Sequence, residues 1–170
     1  MESNELIHFI LSRRSIRQFT GEPVAEELVQ QLLEAAMSAP SASDRRPWHF
    51  IVITDRNLLN RLGDAHPHGK LLRGAPMAIA VCGDPAISER YWEQDCSAAV
   101  ENLLLAAVAL KLGAVWLGVH PRADRKSFTR KELSIPHVIE PLAIIAIGHP
   151  AEEKPAHTKF DAKRVHQNRW

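Results

Sequence analysis

The densest group of chemistry-bearing side chains is Arg13-Arg14-Ser15-Ile16-Arg17-Gln18-Phe19, in which three guanidinium groups and a hydroxyl fall close together. A guanidinium presents a planar fork of donors that matches phosphate oxygens, and a serine hydroxyl adds a short hydrogen bond. Arg13, Arg14, Ser15 and Arg17 could therefore hold one anionic group from several directions. A solvated basic segment is the alternative that these residues alone leave open.

Other chemistries are poorly served. No GxSxG elbow is present, and Ser41 and Ser43 sit in a stretch without evident His or Asp partners. Cys82 and Cys96 have no CxxC spacing and no nearby activating histidine, so Cys82 reads as a buried strand residue and a reduced cytoplasm as the compartment. His66 and His68 form an HxH pair, but no second pair answers it. Pro67 and Gly69 suggest a turn, so exposed loop histidines are expected and no metal site. GxGxxG and GxxxxGK[ST] are both absent, which leaves a phosphate to be held by side chains. FMN, with one phosphate and a large flat ring, meets that condition.

The chain has 170 residues, 45% of them hydrophobic, and suits a single domain over 1–170. A net charge of +1 gives no reason to expect a nucleic-acid or membrane partner, and the short apolar run Leu6 to Leu11 lacks the basic start of a signal peptide.

The elements that must position the arginines follow from apolar spacing. A short helix capped by Asn4 and ending at Leu11 leads into them, and a second runs from Val24 to Met37 with Leu28, Val29, Leu32, Leu33 and Ala36 on one face. Residues 39–44 form a loop. Strands are predicted at Trp48–Ile53, Met77–Cys82, Ala114–Val119 and Leu142–Ile147, with a helix from Asp55 to Leu62, a loop over 63–69 and a basic helix from Asp124 to Leu133. The longest helix, from Ser88 or Tyr91 to Leu112, is apolar almost all round from Ala98 onward and reads as buried on every side, with Gly113 as its C-terminal stop. Its burial in so small a chain implies a second subunit. The polar tail 151–170 ends on Trp170, which suggests that it packs on its own domain or on a partner. Buried strands alternating with helices favour, by pattern alone, a doubly wound parallel sheet.

These motifs together resemble the FMN-dependent nitroreductases of the short bacterial and archaeal type. The resemblance rests on RRSIRQF at Arg13 to Phe19, the loop Ala39-Pro40-Ser41-Ala42-Ser43-Asp44-Arg45-Arg46-Pro47-Trp48-His49-Phe50, and Gly69-Lys70-Leu71-Leu72 through Ala75-Pro76. Ala114-Val115-Trp116-Leu117-Gly118 and Ile147-Gly148-His149-Pro150 complete it in order. It implies an α+β fold with a central mixed, mostly antiparallel sheet flanked by helices, in an intertwined homodimer whose C-terminal segments (about 151–170) pack on the partner.

The same resemblance implies an FMN site in which Arg13, Arg14, Ser15, Arg17 and Lys159 meet the phosphate, ribityl and pyrimidine side. Lys70 lies near the pyrimidine edge, and Leu117 and Gly118 bring backbone groups to N5 and O4. Pro40, Ser41, Ala42 and Ser43 reach the flavin from the other subunit. The implied activity is ping-pong hydride transfer from NADH or NADPH to a nitroaromatic, quinone or related acceptor, with no catalytic side chain. Reduction of an enone or halogenated aromatic, consumption of the flavin itself, or flavin binding without turnover are the other readings. Asp44 and Arg46 depart from the family's amide pair, and a local salt bridge between them is expected.

Overall fold

The computed structural model describes residues 3–156 and 158–170. Four strands, β1 (Trp48–Ile53), β2 (Met77–Gly83), β3 (Gly113–Gly118) and β4 (Glu140–Gly148), form one sheet in the order β1-β2-β4-β3. All three pairings are antiparallel. The doubly wound parallel sheet suggested by the apolar runs is thus corrected. A strand covered on both faces reads as continuously apolar whichever way its neighbours run. Here β2 is buried throughout and β4 nearly so, because helices cover both sides of the sheet.

Helix α2 (Glu26–Met37) and α4 (Trp92–Ala109) share one core with the inward residues Met77, Ile79, Val81, Ile145 and Ile147. On the other face α3 (Arg56–Ala65) and α5 (Ala123–Glu132) pack over Ala78, Ala80, Val115, Leu117 and Ile144. The alternation along β2 and β4 divides their residues between the two cores, as a pleated strand requires. Among the described residues no helix is long and apolar enough to cross a membrane.

Several element boundaries differ from expectation for identifiable reasons. Helix α1 (Ser3–Ser12) includes Asn4, so Asn4 does not cap it. Helix α2 begins at Glu26, after Ala25 in an extended conformation. Asp55 caps α3 by accepting from the Leu58 N–H at 2.7 Å, and α3 continues through Gly63 to Ala65. A 3₁₀ turn, Gly69–Arg73, follows, so residues 63–69 are only in part a loop. Helix α4 stops at Ala109; Lys111, at φ 58°, makes the left-handed turn, and Gly113 is already the first residue of β3. Gly113 is small for a packing reason, since a Cβ there would stand 2.6 Å from Ile16 Cγ2.

Helix α4 is not buried on every side. Val100, Leu103, Leu104 and Ala107 are in the core, whereas Ala98, Leu105 and Val108 are half-buried and Glu101 is exposed. Beside it α1 leaves Leu6, Ile7 and Ile10 exposed. Among the described residues the tail after Pro155 is exposed, although Lys159 lines a cleft with the arginine stretch; Phe160 and Trp170 are exposed, and Trp170 stacks on His166 at 4.4 Å.

Candidate functional site

The arginine stretch is strapped to the sheet by its backbone. The Ile16 N–H donates to Ala114 O at 3.1 Å, Thr20 N–H to His149 O at 3.0 Å, and Ala151 N–H to Gln18 O at 2.9 Å. These bonds lay residues 15–20 between the start of β3 and the chain leaving β4. The odd and even side chains are thereby fixed in direction, and the guanidiniums gather at one end of the sheet.

Around them lies a cleft of about 230 Å³ lined by Arg13, Arg14, Ser15, Arg17, Lys154 and Lys159. Lys154 Nζ donates to Ser15 O and to Glu152 Oε1, both at 2.8 Å. Glu152 also accepts from the Arg17 backbone N–H, and the Lys154 ammonium holds its carboxyl below the usual range. Arg13 pairs with Glu101 of α4 at 3.2 Å, and Arg14 donates to Pro155 O. Arg14, Arg17 and Lys159 have no carboxylate partner among the described residues. A cleft with three such cations and a hydroxyl is chemically matched to a phosphate dianion.

Arg17 also lines a second, larger cleft of about 540 Å³, where it meets Lys70, Leu117 and Gly118 together with His66, His68, Trp116 and Arg125. The structure therefore brings Arg13, Arg14, Ser15, Arg17 and Lys159 to one cleft and Lys70, Leu117 and Gly118 to its neighbour, with Arg17 common to both. Pro40, Ser41, Ala42 and Ser43 line neither. Ala42 and Ser43 instead border a separate cleft with Arg45, Arg90 and Tyr91.

Strand β3 lies at the sheet edge, and its outer side forms a wall of the larger cleft. Because Ala114 O accepts from Ile16, the period of two along a strand turns the backbone groups of Trp116 and Gly118 to the same outer side. A Cβ built on Gly118 meets nothing within 4 Å, and its φ is not in the left-handed range. Neither internal packing nor conformation requires glycine there. The open space beside it fits a flat group lying against the strand, and the cationic cleft next door fits that group's phosphate.

The sequence reading assigned none of His66, Lys154, Trp116 and Arg125 to the site, although His66 stood in the HxH pair and Trp116 in the motif before Gly118. His66 is only 7% exposed, a correction to the exposed loop histidine expected there. Its Nε2 lies 3.0 Å from Gly118 O, and its Nδ1 accepts from the His68 N–H at 3.1 Å. Arg125 Nη1 donates to the same Gly118 O at 2.9 Å. No signal in the local sequence could have found the contact of His66 with Gly118, because 52 residues separate them.

The loop before β1 holds three non-glycine residues in the left-handed region, Ser43, Asp44 and Arg46. Its shape is fixed from within. Buried Asp95 accepts from the Ala42 N–H at 2.9 Å and from Ser88 Oγ at 3.1 Å, and Ser41 Oγ accepts from the Arg46 N–H at 3.0 Å. Arg46 Nε donates to Asp44 Oδ1 at 2.7 Å, as the expected local salt bridge, and that hydrogen bond holds the Asp44 carboxyl below its usual range. Both cysteines are buried, and burial pushes each thiol up to about 12, so neither is a nucleophile at neutral pH.

Residues 10–68 and 64–149 match the sequence profile of the Nitroreductase family. A protein of Methanothermobacter thermautotrophicus, provisionally named NADH dehydrogenase/NAD(P)H nitroreductase, is 44% identical over 168 residues, covering 98% of this chain and 88% of its own length. An FMN-dependent nitroreductase of Clostridium difficile superposes with a TM-score of 0.91 at 34% identity, covering 96% of this chain and 99% of that one. A provisionally named nitroreductase of Desulfovibrio desulfuricans, solved in complex with FMN, superposes at 0.84 with 34% identity and covers 99% of both chains.

Proposed function

This chain belongs to the nitroreductase family, and on that premise we propose that it is an FMN-dependent NAD(P)H oxidoreductase whose acceptor is a nitroaromatic, a quinone or a related small molecule. The carrying observation is the pair of adjoining clefts joined at Arg17, one cationic and one walled by the open Gly118 edge. The similarity to the FMN-dependent and FMN-complexed structures supports the cofactor. A bound FMN supplies two-electron transfer between NADH or NADPH and the acceptor.

In this reading Arg14, Arg17 and Lys159 neutralise the phosphate, Ser15 adds a hydroxyl, and the ion-paired Arg13 and Lys154 complete the cleft. Lys70 and Arg17 place positive charge beside the pyrimidine side of the ring, where reduction leaves negative charge. Gly118 offers its backbone at the ring's edge, and Leu117 lines the same cleft while its own backbone groups pair with β4. No side chain is assigned as nucleophile or general base.

We place the complete site in a homodimer. Pro40 to Ser43 line neither cleft of their own chain, and they are free to reach a partner's flavin. The exposed apolar residues of α1, the half-buried face of α4 and the projecting tail supply surface for such an interface. Sedimentation at micromolar concentration is expected to give a dimer of two 170-residue chains, and a monomer would overturn the shared site.

The cofactor reading is tested by titrating the apo protein with FMN. One FMN per chain is expected. Gly118→Ala is expected to leave apo stability unchanged, because the methyl meets no protein atom, while weakening FMN binding by about tenfold through the intruding methyl. Absence of FMN binding by the wild type overturns the proposal; unchanged affinity in Gly118→Ala overturns the assignment of the edge.

A further inference from the structure

The HPH segment, His66-Pro67-His68, has no part in the cofactor reading above, yet one of its histidines is buried against the strand that reading uses. On the outer side of β3, Gly118 presents both an N–H donor and a C=O acceptor. The edge facing an oxidised flavin should be a donor, because N5 and O4 of the ring are acceptors. A bare carbonyl beside them would repel them, and more so once the ring carries negative charge.

The structure removes that acceptor. Gly118 O receives His66 Nε2 at 3.0 Å and Arg125 Nη1 at 2.9 Å, so two donors converge on the one oxygen. The ring proton of His66 must sit on Nε2, because Nδ1 is the acceptor for the His68 N–H at 3.1 Å. His66 is therefore neutral and donates to the carbonyl. Burial pushes its pKa down, and the neighbouring Arg125 and His68 push the same way, although the bond to Gly118 pulls it up. Arg125 Nη1 lies 3.2 Å from His66 Nε2, and since both atoms carry hydrogens the two groups converge on one oxygen instead of bonding to each other. Arg125 comes from α5 and His66 from the end of α3, so two helices on this face of the sheet close on the same atom.

We propose that His66 and Arg125 are positioning residues that mask the Gly118 carbonyl, leaving the Gly118 N–H as the free donor at the flavin's reducible edge, and that the Arg125 charge favours the reduced ring. This rests on the FMN reading above. It assigns a role to two residues that touch the backbone and need not touch the cofactor.

The test separates binding from redox tuning. Arg125→Met, Arg125→Lys, His66→Phe and His66→Gln are titrated with oxidised and with reduced FMN, and the bound-flavin midpoint potential is measured at pH 7. In Arg125→Met and His66→Phe the affinity for reduced FMN is expected to fall at least tenfold more than that for oxidised FMN, which is a shift of about 30 mV to the negative for a two-electron couple. Lys and Gln, which retain a donor, are expected to recover most of it. Equal losses in both redox states, or none, overturn the proposal while leaving the FMN reading intact; a wild type that binds no FMN overturns the FMN reading itself. Should the variants fail to fold, the ¹⁵N spectrum of wild-type His66 still decides. A neutral ring protonated on Nε2 is expected at pH 7, and an Nδ1–H tautomer or an imidazolium overturns the proposal.

Discussion

Arg17→Ala is expected to weaken FMN binding by about 10- to 100-fold, the loss that follows from removing a charge-assisted hydrogen bond worth about 1.5–3 kcal/mol. Among the described residues Arg17 is the one side chain common to both clefts. Its own fold contacts are slight. The side chain makes a 3.4 Å bond to Ser15 O, whereas the anchoring contact to Glu152 comes from the Arg17 backbone N–H, which alanine keeps. The thermal midpoint of the apo protein should therefore stay where it is while the affinity falls. Arg17→Lys should recover part of the affinity at low salt, since it restores the charge without the planar fork. Fluorescence titration of apo protein with FMN at two salt concentrations measures both effects. An unchanged dissociation constant in Arg17→Ala would remove Arg17 from the cofactor site.

The clustering of the arginines was the most legible feature of this chain because it needs only residue type and close spacing, whereas their convergence on one cleft with Lys154 and Lys159 needed the fold. Strand positions were legible for a similar reason. Trp48–Ile53 and Met77 onward are short apolar runs between breakers, and the observed strands begin at those residues. Strand direction was not legible, since two-sided burial erases the alternation that would distinguish an exposed antiparallel sheet. The resemblance supplied the direction that the pattern could not.

Within the candidate site, Lys159 was expected, but Lys154 was hidden in a tail with several basic residues. What singles it out is its reach back to Ser15 O, a contact between opposite ends of the chain. His66 shows the limit most clearly. As sequence it is half of an HxH pair in a turn. In the fold its two ring nitrogens face Gly118 O and the His68 N–H, so a metal on either nitrogen would have to displace one of these partners. Asp44 and Arg46 were legible because opposite charges two residues apart can meet without any tertiary information. The left-handed conformations of Ser43, Asp44 and Arg46 were not, since none is glycine.

Gly69→Ala should do more to the fold than any single change in the cationic cleft. A Cβ on Gly69 would stand 2.5 Å from Gly63 O, 2.9 Å from Gly63 Cα and 2.9 Å from His66 Cβ. Two of those are backbone atoms that no rotamer change can move aside. The 3₁₀ turn carrying Lys70 cannot drift away freely either. The Gly69 N–H bonds to His66 O at 2.8 Å, Arg56 Nη1 donates to Leu72 O at 2.9 Å, and Leu72 is wholly buried. The methyl must therefore separate α3 from the turn at their closest point, at a cost of about 1–3 kcal/mol. For a chain of this size that lowers the melting temperature by roughly 3–10 °C. The same displacement moves His66, His68 and Lys70, so FMN affinity should fall although every cofactor-facing side chain is intact. Gly74→Ala is the matched control. Its nearest contact would be Leu71 O at 3.8 Å, an ordinary distance, and its melting temperature and FMN affinity should remain those of the wild type. Equal behaviour of the two variants in thermal denaturation and FMN titration would show that the contact between Gly63 and Gly69 does not hold the turn.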